Sequence, residues 1–214
     1  MNKMDKITII EPKSIETRSF EIITEILGDR VFPQEQQGII KRVIHTSADF
    51  DYADNLVFGN DAVKAAMKAF QKGCTVYTDT RMAYSGINQT NLAKFNSQKE
   101  CYIDHPEVAE EAKKRGVTRA TVSMEKAAKD EGHKNFAIGN APTALIALYE
   151  MVKEGTLKPD LIIGVPVGFV NVVESKELLM ELDVPYIVAK GRKGGSNVAA
   201  AIVNAIMLEG LKQA

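Results

Sequence analysis

The chain has 214 residues, 27 of them basic and 28 acidic, which leaves a formal net charge of -1 at pH 7. This length suits one α/β domain with a sizeable core, so residues 1–214 are expected to form a single domain. The charge balance offers no overall positive field that would recruit nucleic acid or an anionic membrane. No apolar run reaches the roughly 18 residues needed to span a bilayer, and the chain begins without a signal-peptide pattern. We therefore expect a cytoplasmic protein.

Cysteine and histidine are too sparse to indicate a metal or redox centre. Cys74 and Cys101 are the only cysteines, and their separation excludes a Cys-x-x-Cys pair, so both are expected to be buried, reduced thiols. The three histidines, His45, His105 and His133, are scattered along the chain without an acidic ligand cluster. We expect no metal site and no cofactor, and we assign no function to His105 or His133.

The first elements in chain order are a short strand and a helix. An apolar run at residues 6–10 predicts the strand, and Ser14 can cap the helix that follows. Gly28 supplies the C-terminal stop of this helix. Its expected buried stripe consists of Phe20, Ile22, Ile23, Ile26 and Leu27.

A second helix is predicted to start with Pro33 in its first turn, and apolar residues recur along it at helical spacing from Ile40 to Ile44. Arg42 and His45 are three residues apart, so they project from the edge of this stripe and a cation borders the imidazole. A histidine beside an apolar stripe is more often a hydrogen-bonded packing residue than a catalyst. Its position alone leaves both interpretations open.

Strand and helix patterns alternate through the remainder of the chain. Asn60 or Asp61 opens a helix that ends at Gly73, and helical patterns also cover residues 106–116 and 142–155. The predicted strands lie at residues 74–79, 100–104, 135–139, 160–167 and 185–190. This alternation predicts an α/β fold whose mostly parallel sheet is covered by helices on both faces.

The ligands of such a sheet gather beyond the carboxyl ends of its strands, so the residues that follow each strand are the place to look for a site. Four of these junctions combine glycine or an amide with polar groups, where backbone N–H groups can face an anion. They are DTRMAYSG (79–86), NAPT (140–143), VPVGFVNVVESK (165–176) and GRKGGS (191–196).

The last of these junctions, residues 191–196, is called the glycine loop below. Its three glycines permit close backbone approach, Arg192 and Lys193 bring positive charge, and Ser196 can cap the helix that follows. The loop matches neither the dinucleotide-binding nor the P-loop glycine pattern. Anion binding and a purely structural turn therefore both remain open for this motif.

Six motifs together make the chain resemble the precorrin-8 methylmutases, or precorrin isomerases, of corrin-ring biosynthesis. They occur in the family's order and spacing over nearly the whole chain: ETRSF (16–20), KRVIHTSAD (41–49), DTRMAYSG (79–86), IGNAPTAL (138–145), GVPVGFVNVVESK (164–176) and GRKGGS (191–196). The resemblance implies an isomerase that moves a methyl group from C11 to C12 of a corrinoid ring. The product would be hydrogenobyrinate or its cobalt counterpart, cobyrinate.

The resemblance also implies roles for single residues. It places the proton donor and acceptor at His45, with Ser19 and Arg42 as substrate contacts. Arg119 matches an arginine that helps to complete the family's site across the interface of a homodimer with a shared active site. Arg81 stands where some relatives have glutamate, which leaves the minor ring contacts open.

This chemistry needs no nucleophile, metal or cofactor. A methyl shift between adjacent ring carbons should become easier when the conjugated ring accepts a proton, and histidine has the unperturbed pKa nearest the operating pH. The small-molecule corrinoid substrate is a flat apolar macrocycle with many carboxylates. It calls for a cleft with apolar walls and scattered anion contacts.

The junctions supply both kinds of contact. The residues that can face the ring are Met82, Val165, Val167, Gly168 and Phe169. The residues that can meet its carboxylates or touch its edge are Arg42, Arg119, Asn140, Arg192, Gly194, Gly195 and Ser196. Core packing is the alternative for Met82 and Phe169, and residues 174–176 are expected to form a helix start with a solvated charge. Asn140 and Thr143 are expected to cap the helix that follows them.

Two other classes of function remain as alternatives. A nucleotide-binding α/β enzyme would hold phosphate on the glycine loop and would be stabilised by adenine nucleotides. A non-catalytic corrinoid-binding carrier would bind the ring and leave it unchanged. The sequence does not indicate whether the substrate already carries cobalt.

Overall fold

Strands and helices alternate along the chain in the computed structural model, which describes residues 11–213. The strands are β1 (Leu56–Gly59), β2 (Cys74–Thr78), β3 (Gln98–Glu100), β4 (His133–Ile138), β5 (Leu161–Gly164) and β6 (Tyr186–Ala189). The helices are α1 (Ile15–Leu27), α2 (Gln34–Ser47), α3 (Tyr52–Asn55), α4 (Ala62–Lys72), α5 (Arg81–Gly86), α6 (Gln89–Lys94), α7 (Pro106–Arg115), α8 (Arg119–Lys129), α9 (Pro142–Lys153), α10 (Val172–Met180) and α11 (Ser196–Gln213). The predicted strand at residues 6–10 lies outside the described residues.

The six strands form one sheet in the order β1-β6-β5-β4-β2-β3. Every neighbouring pair is parallel except β1 and β6, which pair antiparallel along one edge. Parallel neighbours require crossover helices, which the sequence supplies between the strands. The prediction of a mostly parallel α/β sheet is confirmed.

Both faces of the sheet are buried, because alternate residues of a strand point to opposite sides. Val76 and Ala137 enter the core beneath α1, α2, α4 and α11. Their chain neighbours Tyr77, Phe136 and Ile138 enter a second core beneath α8, α9 and α10. Helices therefore cover both faces, as predicted.

The predicted C-terminal ends of the early helices are confirmed, but the predicted capping of α1 by Ser14 is wrong, because the Ser14 side chain makes no capping hydrogen bond. Gly28 and Gly73 stand at the C-terminal caps of α1 and α4 with φ of 59° and 79°, a conformation that favours glycine. Asp61 is the N-cap residue of α4. Pro33 stands one residue before α2, where its missing N–H costs no helical hydrogen bond.

The buried stripe predicted for α1 is too wide. Ile23 and Leu27 are buried, whereas Ile22 and Ile26 are exposed together with Ile15. The reason is that α1 packs against α2 along one narrow face, and a helix with one neighbour cannot cover apolar residues around most of its circumference.

Three strand assignments differ from prediction. The four-residue β1 was missed because it is too short to show an alternating pattern. The strand predicted at residues 100–104 is wrong, since β3 ends at Glu100, whose own side chain accepts the N–H of Cys101 at 2.8 Å. The strand predicted at residues 160–167 ends at Gly164, because Pro166 has no N–H to donate to a neighbour.

Candidate active site

A stacked group of side chains joins α1 to α2 beside the carboxyl edge of the sheet. The imidazole of His45 stacks on the ring of Phe20, with centroids 5.2 Å apart and planes 21° from parallel. The Arg42 guanidinium lies over the same ring, its Cζ 4.6 Å from the centroid, and pairs with the carboxylate of Glu16. The hydrogen bond from Arg42 lowers the pKa of the Glu16 carboxyl. A fixed cation therefore stands beside the histidine, as the sequence predicted.

Ser19 is adjacent to this group on α1. Its hydroxyl donates to the carbonyl oxygen of Ile15 at 2.9 Å, and the lone pairs of its oxygen remain able to accept a hydrogen bond. The structure thus brings Ser19, Arg42 and His45 onto one pair of packed helices.

A cluster of charges attaches the end of α2 to the glycine loop. The Nζ atom of Lys193 lies 2.5 Å from an oxygen of Asp49 and 2.7 Å from an oxygen of Asp51. The hydrogen bonds that the ammonium donates to these two carboxylates raise the pKa of Lys193. Because Asp49 comes four residues after His45, this clamp places the glycine loop beside the end of the helix that carries the histidine.

The glycine loop is also bonded, backbone to backbone, to the junction that follows β5. The N–H of Gly168 donates to the carbonyl of Arg192 at 3.2 Å, and the N–H of Gly195 donates to the carbonyl of Val165 at 2.9 Å. A Cβ on Gly194 would lie 2.1 Å from the Val165 carbonyl oxygen, so only glycine permits this approach. The two junctions form one unit at the carboxyl edge.

These bonds correct two predictions for the glycine loop. The sequence predicts that the Gly195 N–H binds a substrate carboxylate, but it donates to the Val165 carbonyl. The φ of 143° at Gly195 favours glycine, so the backbone conformation explains why glycine occurs there. The Ser196 hydroxyl lies 2.7 Å from the Thr80 hydroxyl, so it bonds there and does not cap α11. Within residues 11–213 the N–H groups of Gly194 and Ser196 have no hydrogen-bond acceptor. Both stand at the N-terminus of α11, a position suited to an anion.

Lys176 contradicts the prediction of a solvated charge at residues 174–176. Its side chain is only 1% exposed, and its Nζ donates to the carbonyl oxygens of Gly191 at 2.7 Å and Lys193 at 2.9 Å. Burial lowers the pKa of Lys176 to about 8. The ammonium holds the glycine loop from inside the protein.

Apolar side chains surround the loops on the solvent side. Met82, Val167 and Phe169 are 68%, 47% and 81% exposed, so the alternative of core packing is excluded for Met82 and Phe169. Val165, by contrast, is fully buried, and its predicted contact with a ring is wrong. The Arg192 side chain donates to the Phe169 carbonyl at 3.0 Å and lies over its ring, with Cζ 5.7 Å from the centroid.

A buried carboxylate shapes the junction after β4. Asp79, at the end of β2, is 2% exposed and accepts the N–H groups of Gly139 at 2.9 Å, Asn140 at 2.8 Å and Ala141 at 2.7 Å. Burial raises the pKa of Asp79, while the three hydrogen bonds act in the opposite direction. Asp79 thereby fixes the backbone of Asn140, whose side chain stays exposed.

Arg119 lies in a different helical layer from His45. It is the first residue of α8 and is exposed, and α8 packs on the face of the sheet opposite to α2. The preceding Thr118 hydroxyl lies 2.7 Å from that of Thr143 near the start of α9. The N-cap residue of α9 is Ala141 and has no side-chain cap, so the predicted capping by Asn140 and Thr143 is wrong.

The cysteines and the two remaining histidines take no part in the site contacts described above. Cys74 and Cys101 are buried and unpaired thiols, as predicted. His105 packs edge-on against Tyr102, and His133 lies 2.9 Å from Asp160. Among residues 11–213 there is no group of three or more potential metal ligands, and no helix long and apolar enough to cross a membrane.

Sequence reasoning missed three residues that shape the site: Phe20, Asp79 and Lys176. The burial of Lys176 left a detectable signal, because it shares a helical face with the apolar Val172 and Leu179. Asp79 directly follows the fully buried β2, and this position indicates a buried carboxylate. The stacking of Phe20 on His45 left no signal in the sequence, because the two residues lie on different helices.

The assembled edge combines an imidazole, a neighbouring guanidinium, exposed apolar side chains and amides at a helix N-terminus. These groups are suited to exchange a proton with an apolar ligand that carries carboxylates.

Comparison with known proteins finds similar chains in one enzyme family. The family model described as Precorrin-8X methylmutase matches residues 14–209. Cobalt-precorrin-8 methylmutase of Priestia megaterium is 48% identical over 199 residues, covering 93% of this chain and 88% of that protein. The cobalt-precorrin-8 methylmutase of Salmonella typhimurium is 46% identical over 205 residues, covering 93% and 96%.

A solved structure has the same fold. Precorrin-8x methyl mutase from Thermus thermophilus superposes with a TM-score of 0.86 at 37% identity, covering 94% of this chain and 97% of that one.

Proposed function

Because the chain belongs to the precorrin-8X methylmutase family and is a methylmutase isomerase, we propose that it converts cobalt-precorrin-8 to cobyrinate with His45 as proton donor and acceptor. The choice of the cobalt-loaded substrate is supported by the names of the relatives from Priestia megaterium and Salmonella typhimurium. Membership of a methylmutase family does not favour the two alternatives, a corrinoid carrier and a nucleotide-binding enzyme.

The observation that carries the role of His45 is its stack on Phe20, the ring over which the proposed substrate contact Arg42 also lies. The His45 ring is held by this stack on one side, and the clamp of Lys193 on Asp49 joins the end of its helix to the glycine loop. The imidazole is half-buried, so it is oriented by packing and still reachable. A positioned group of this kind is what acid–base catalysis requires.

The proposed reaction conserves all atoms of the substrate. His45 gives a proton to the conjugated ring, which draws electron density away from the migrating centre. The bond from the methyl carbon to C11 breaks as the bond to C12 forms, and the proton then returns to His45. No group leaves and no oxidant is consumed, so one acid–base residue suffices, typically contributing about 10² to 10⁴ in rate.

The carboxylates of the substrate are proposed to bind to separate positive groups. Arg42 can exchange its pairing with Glu16 for a pairing with substrate, because Glu16 is largely exposed and its ion pair is correspondingly weak. The N–H groups of Gly194 and Ser196, which have no acceptor in the described part of the chain, offer a second anion site at the N-terminus of α11. Met82, Val167 and Phe169 would cover the apolar ring.

We also propose that the enzyme is a homodimer with a shared active site. Arg119 and His45 stand in different helical layers of one chain, so a neighbour's arginine could complete the site. The exposed Ile15, Ile22 and Ile26 on α1 give the chain an apolar face of the kind that assembly covers. The net charge of -1 favours no nucleic-acid partner. The buried Cys74 and Cys101 thiols suit the reducing cytoplasm.

The function is tested by turnover of purified protein with cobalt-loaded and with metal-free precorrin-8, followed by absorbance and chromatography of the product. We expect cobyrinate from the cobalt-loaded substrate with a kcat/KM at least about tenfold higher than for the metal-free ring, a difference of about 1.4 kcal/mol in the barrier. Equal or preferential use of the metal-free substrate would reject the cobalt assignment, and binding without turnover of either would identify a carrier.

A further inference from the structure

A buried lysine stands behind the glycine loop, and no carboxylate among residues 11–213 pairs with it. Lys176 extends from α10, and its Nζ donates to the carbonyl oxygens of Gly191 and Lys193. These are its hydrogen-bond acceptors within residues 11–213, and no described acidic side chain forms an ion pair with it. Burial of this ammonium lowers the stability of the folded protein, because a buried site disfavours the charged form.

Packing alone does not explain why a lysine occupies this position. It shares the buried face of α10 with Val172 and Leu179, and an apolar side chain of similar length would continue that face. Replacement of buried charges by apolar residues is often neutral or stabilising. The specific consequence of the lysine is therefore the pair of hydrogen bonds to the loop backbone.

The two carbonyl groups lie on either side of Arg192. The backbone of Arg192 accepts the N–H of Gly168 at 3.2 Å, and its side chain donates to Phe169 at 3.0 Å. The Lys176 ammonium thus holds the backbone on both sides of Arg192. Arg192 in turn bonds the glycine loop to the junction after β5. The N–H groups of Gly194 and Ser196 follow within the four residues after Arg192.

The same loop is connected to the catalytic helix. Lys193, whose carbonyl Lys176 holds, uses its own side chain to bind Asp49 and Asp51 at the end of α2. A path of direct contacts therefore runs from Lys176 in the core, through the loop, to the turn that follows His45. Displacement of the loop would alter its distance from the histidine.

We propose that Lys176 is a positioning residue for the methylmutase reaction, holding the glycine loop in the conformation that receives a substrate carboxylate. This inference rests on the proposed function, since contact between the loop and the corrinoid is part of it. Lys176 does not touch the substrate and acts only through the loop backbone.

The test replaces the ammonium by an apolar side chain of similar length, Lys176→Met. We expect cobyrinate, titrated by its absorbance change, to bind at least about tenfold more weakly, with KM raised at least as much and kcat changed less than about threefold. In the ligand-free variant, peptides covering residues 165–170 and 191–197 should exchange amide hydrogens faster, because the loop opens more often. The melting temperature should stay within a few degrees of wild type.

A matched control is available at the opposite edge of the sheet. Asn60 donates from one nitrogen to the carbonyl oxygens of Leu182 at 3.0 Å and Val184 at 2.9 Å. Like Lys176, Asn60 thus holds two backbone carbonyls with one side chain. Asn60→Gly removes both hydrogen bonds, and glycine tolerates the φ of 54° at that position. The control should lose stability and protection near residues 182–184 while binding cobyrinate as tightly as wild type.

The outcomes separate the inference from the proposed function. If wild type neither binds nor converts the corrinoid, the proposed function fails, and loop exchange in the ligand-free Lys176→Met protein then tests the positioning role by itself. Normal cobyrinate affinity, or unchanged exchange in the glycine loop, would overturn that role. If Lys176→Met does not fold, Lys176→Gln is measured instead, and a loss of affinity without faster loop exchange would equally overturn it.

Discussion

At the scale of single residues, the proposed chemistry depends on how His45 is held. The imidazole stacks on Phe20, and Arg42 lies over that same ring. One aromatic side chain therefore orients both the proposed acid and a proposed carboxylate contact. Neither group is deeply buried, so substrate can reach both.

We predict that His45→Asn lowers kcat by about 10² or more, because a positioned acid is lost, while cobyrinate binding changes less than about threefold. Single-turnover measurement of methyl migration checks this result. His105→Asn serves as the control and should keep full activity, since His105 packs on Tyr102 and not on the Phe20 and Arg42 group. Turnover of the His45 variant within about tenfold of wild type would remove the proton-transfer role.

At the scale of elements, buried charges hold the loops at the carboxyl edge through their backbones. Asp79 accepts three N–H groups from the junction after β4, and Lys176 donates to two carbonyls of the glycine loop. Lys99, which is only partly buried, also donates to two carbonyl oxygens, those of Tyr84 at 2.8 Å and Ile87 at 2.7 Å, around the end of α5. Because these hydrogen bonds fix the backbone of each loop, the loop conformations do not depend on the exposed side chains.

Asp79→Asn should lower the free energy of unfolding by about 2–3 kcal/mol, since an amide NH₂ would replace an acceptor oxygen that faces backbone N–H groups. For a domain of this size the melting temperature should fall by roughly 5–10 °C. Thermal melts followed by circular dichroism would measure the change, with the exposed Asp183→Asn as a control that stays within about 1 °C. A loss no larger than that of the control would show that the three hydrogen bonds contribute little.

At the scale of the whole molecule, the two helical layers divide the predicted site. His45 lies in the layer of α2, and Arg119 begins α8 on the other face of the sheet. Two-fold symmetry would allow each subunit to supply the arginine that its partner's site lacks.

Mixing inactive His45→Ala and Arg119→Ala subunits should restore activity if the two residues meet across an interface. After random exchange half of the dimers are mixed and each has one intact site, so about a quarter of wild-type activity is expected. Sedimentation would establish the dimer, and labelled subunits would establish the exchange. Proven exchange without recovery would place both residues in the site of one chain.

The sequence by itself determined the architecture and the place of the polar junctions in it. Alternating strand and helix patterns predict the parallel sheet, and the junctions that contain Arg192 and Asn140 lie at its carboxyl edge as predicted. Local signals sufficed here because strand burial, helix caps and glycine turns are properties of adjacent residues. The antiparallel β1 escaped detection because four residues show no period.

Only the tertiary structure decided how the motifs act on one another. It assigned the Gly195 N–H to Val165, turned the expected solvated Lys176 into a buried support, and placed Phe20 against His45. Each of these contacts joins residues that are far apart in the chain, and their partners are selected by the packing of whole elements. A sequence pattern shows which groups are present, whereas the distances between these groups are set by the packing of the helices on the sheet.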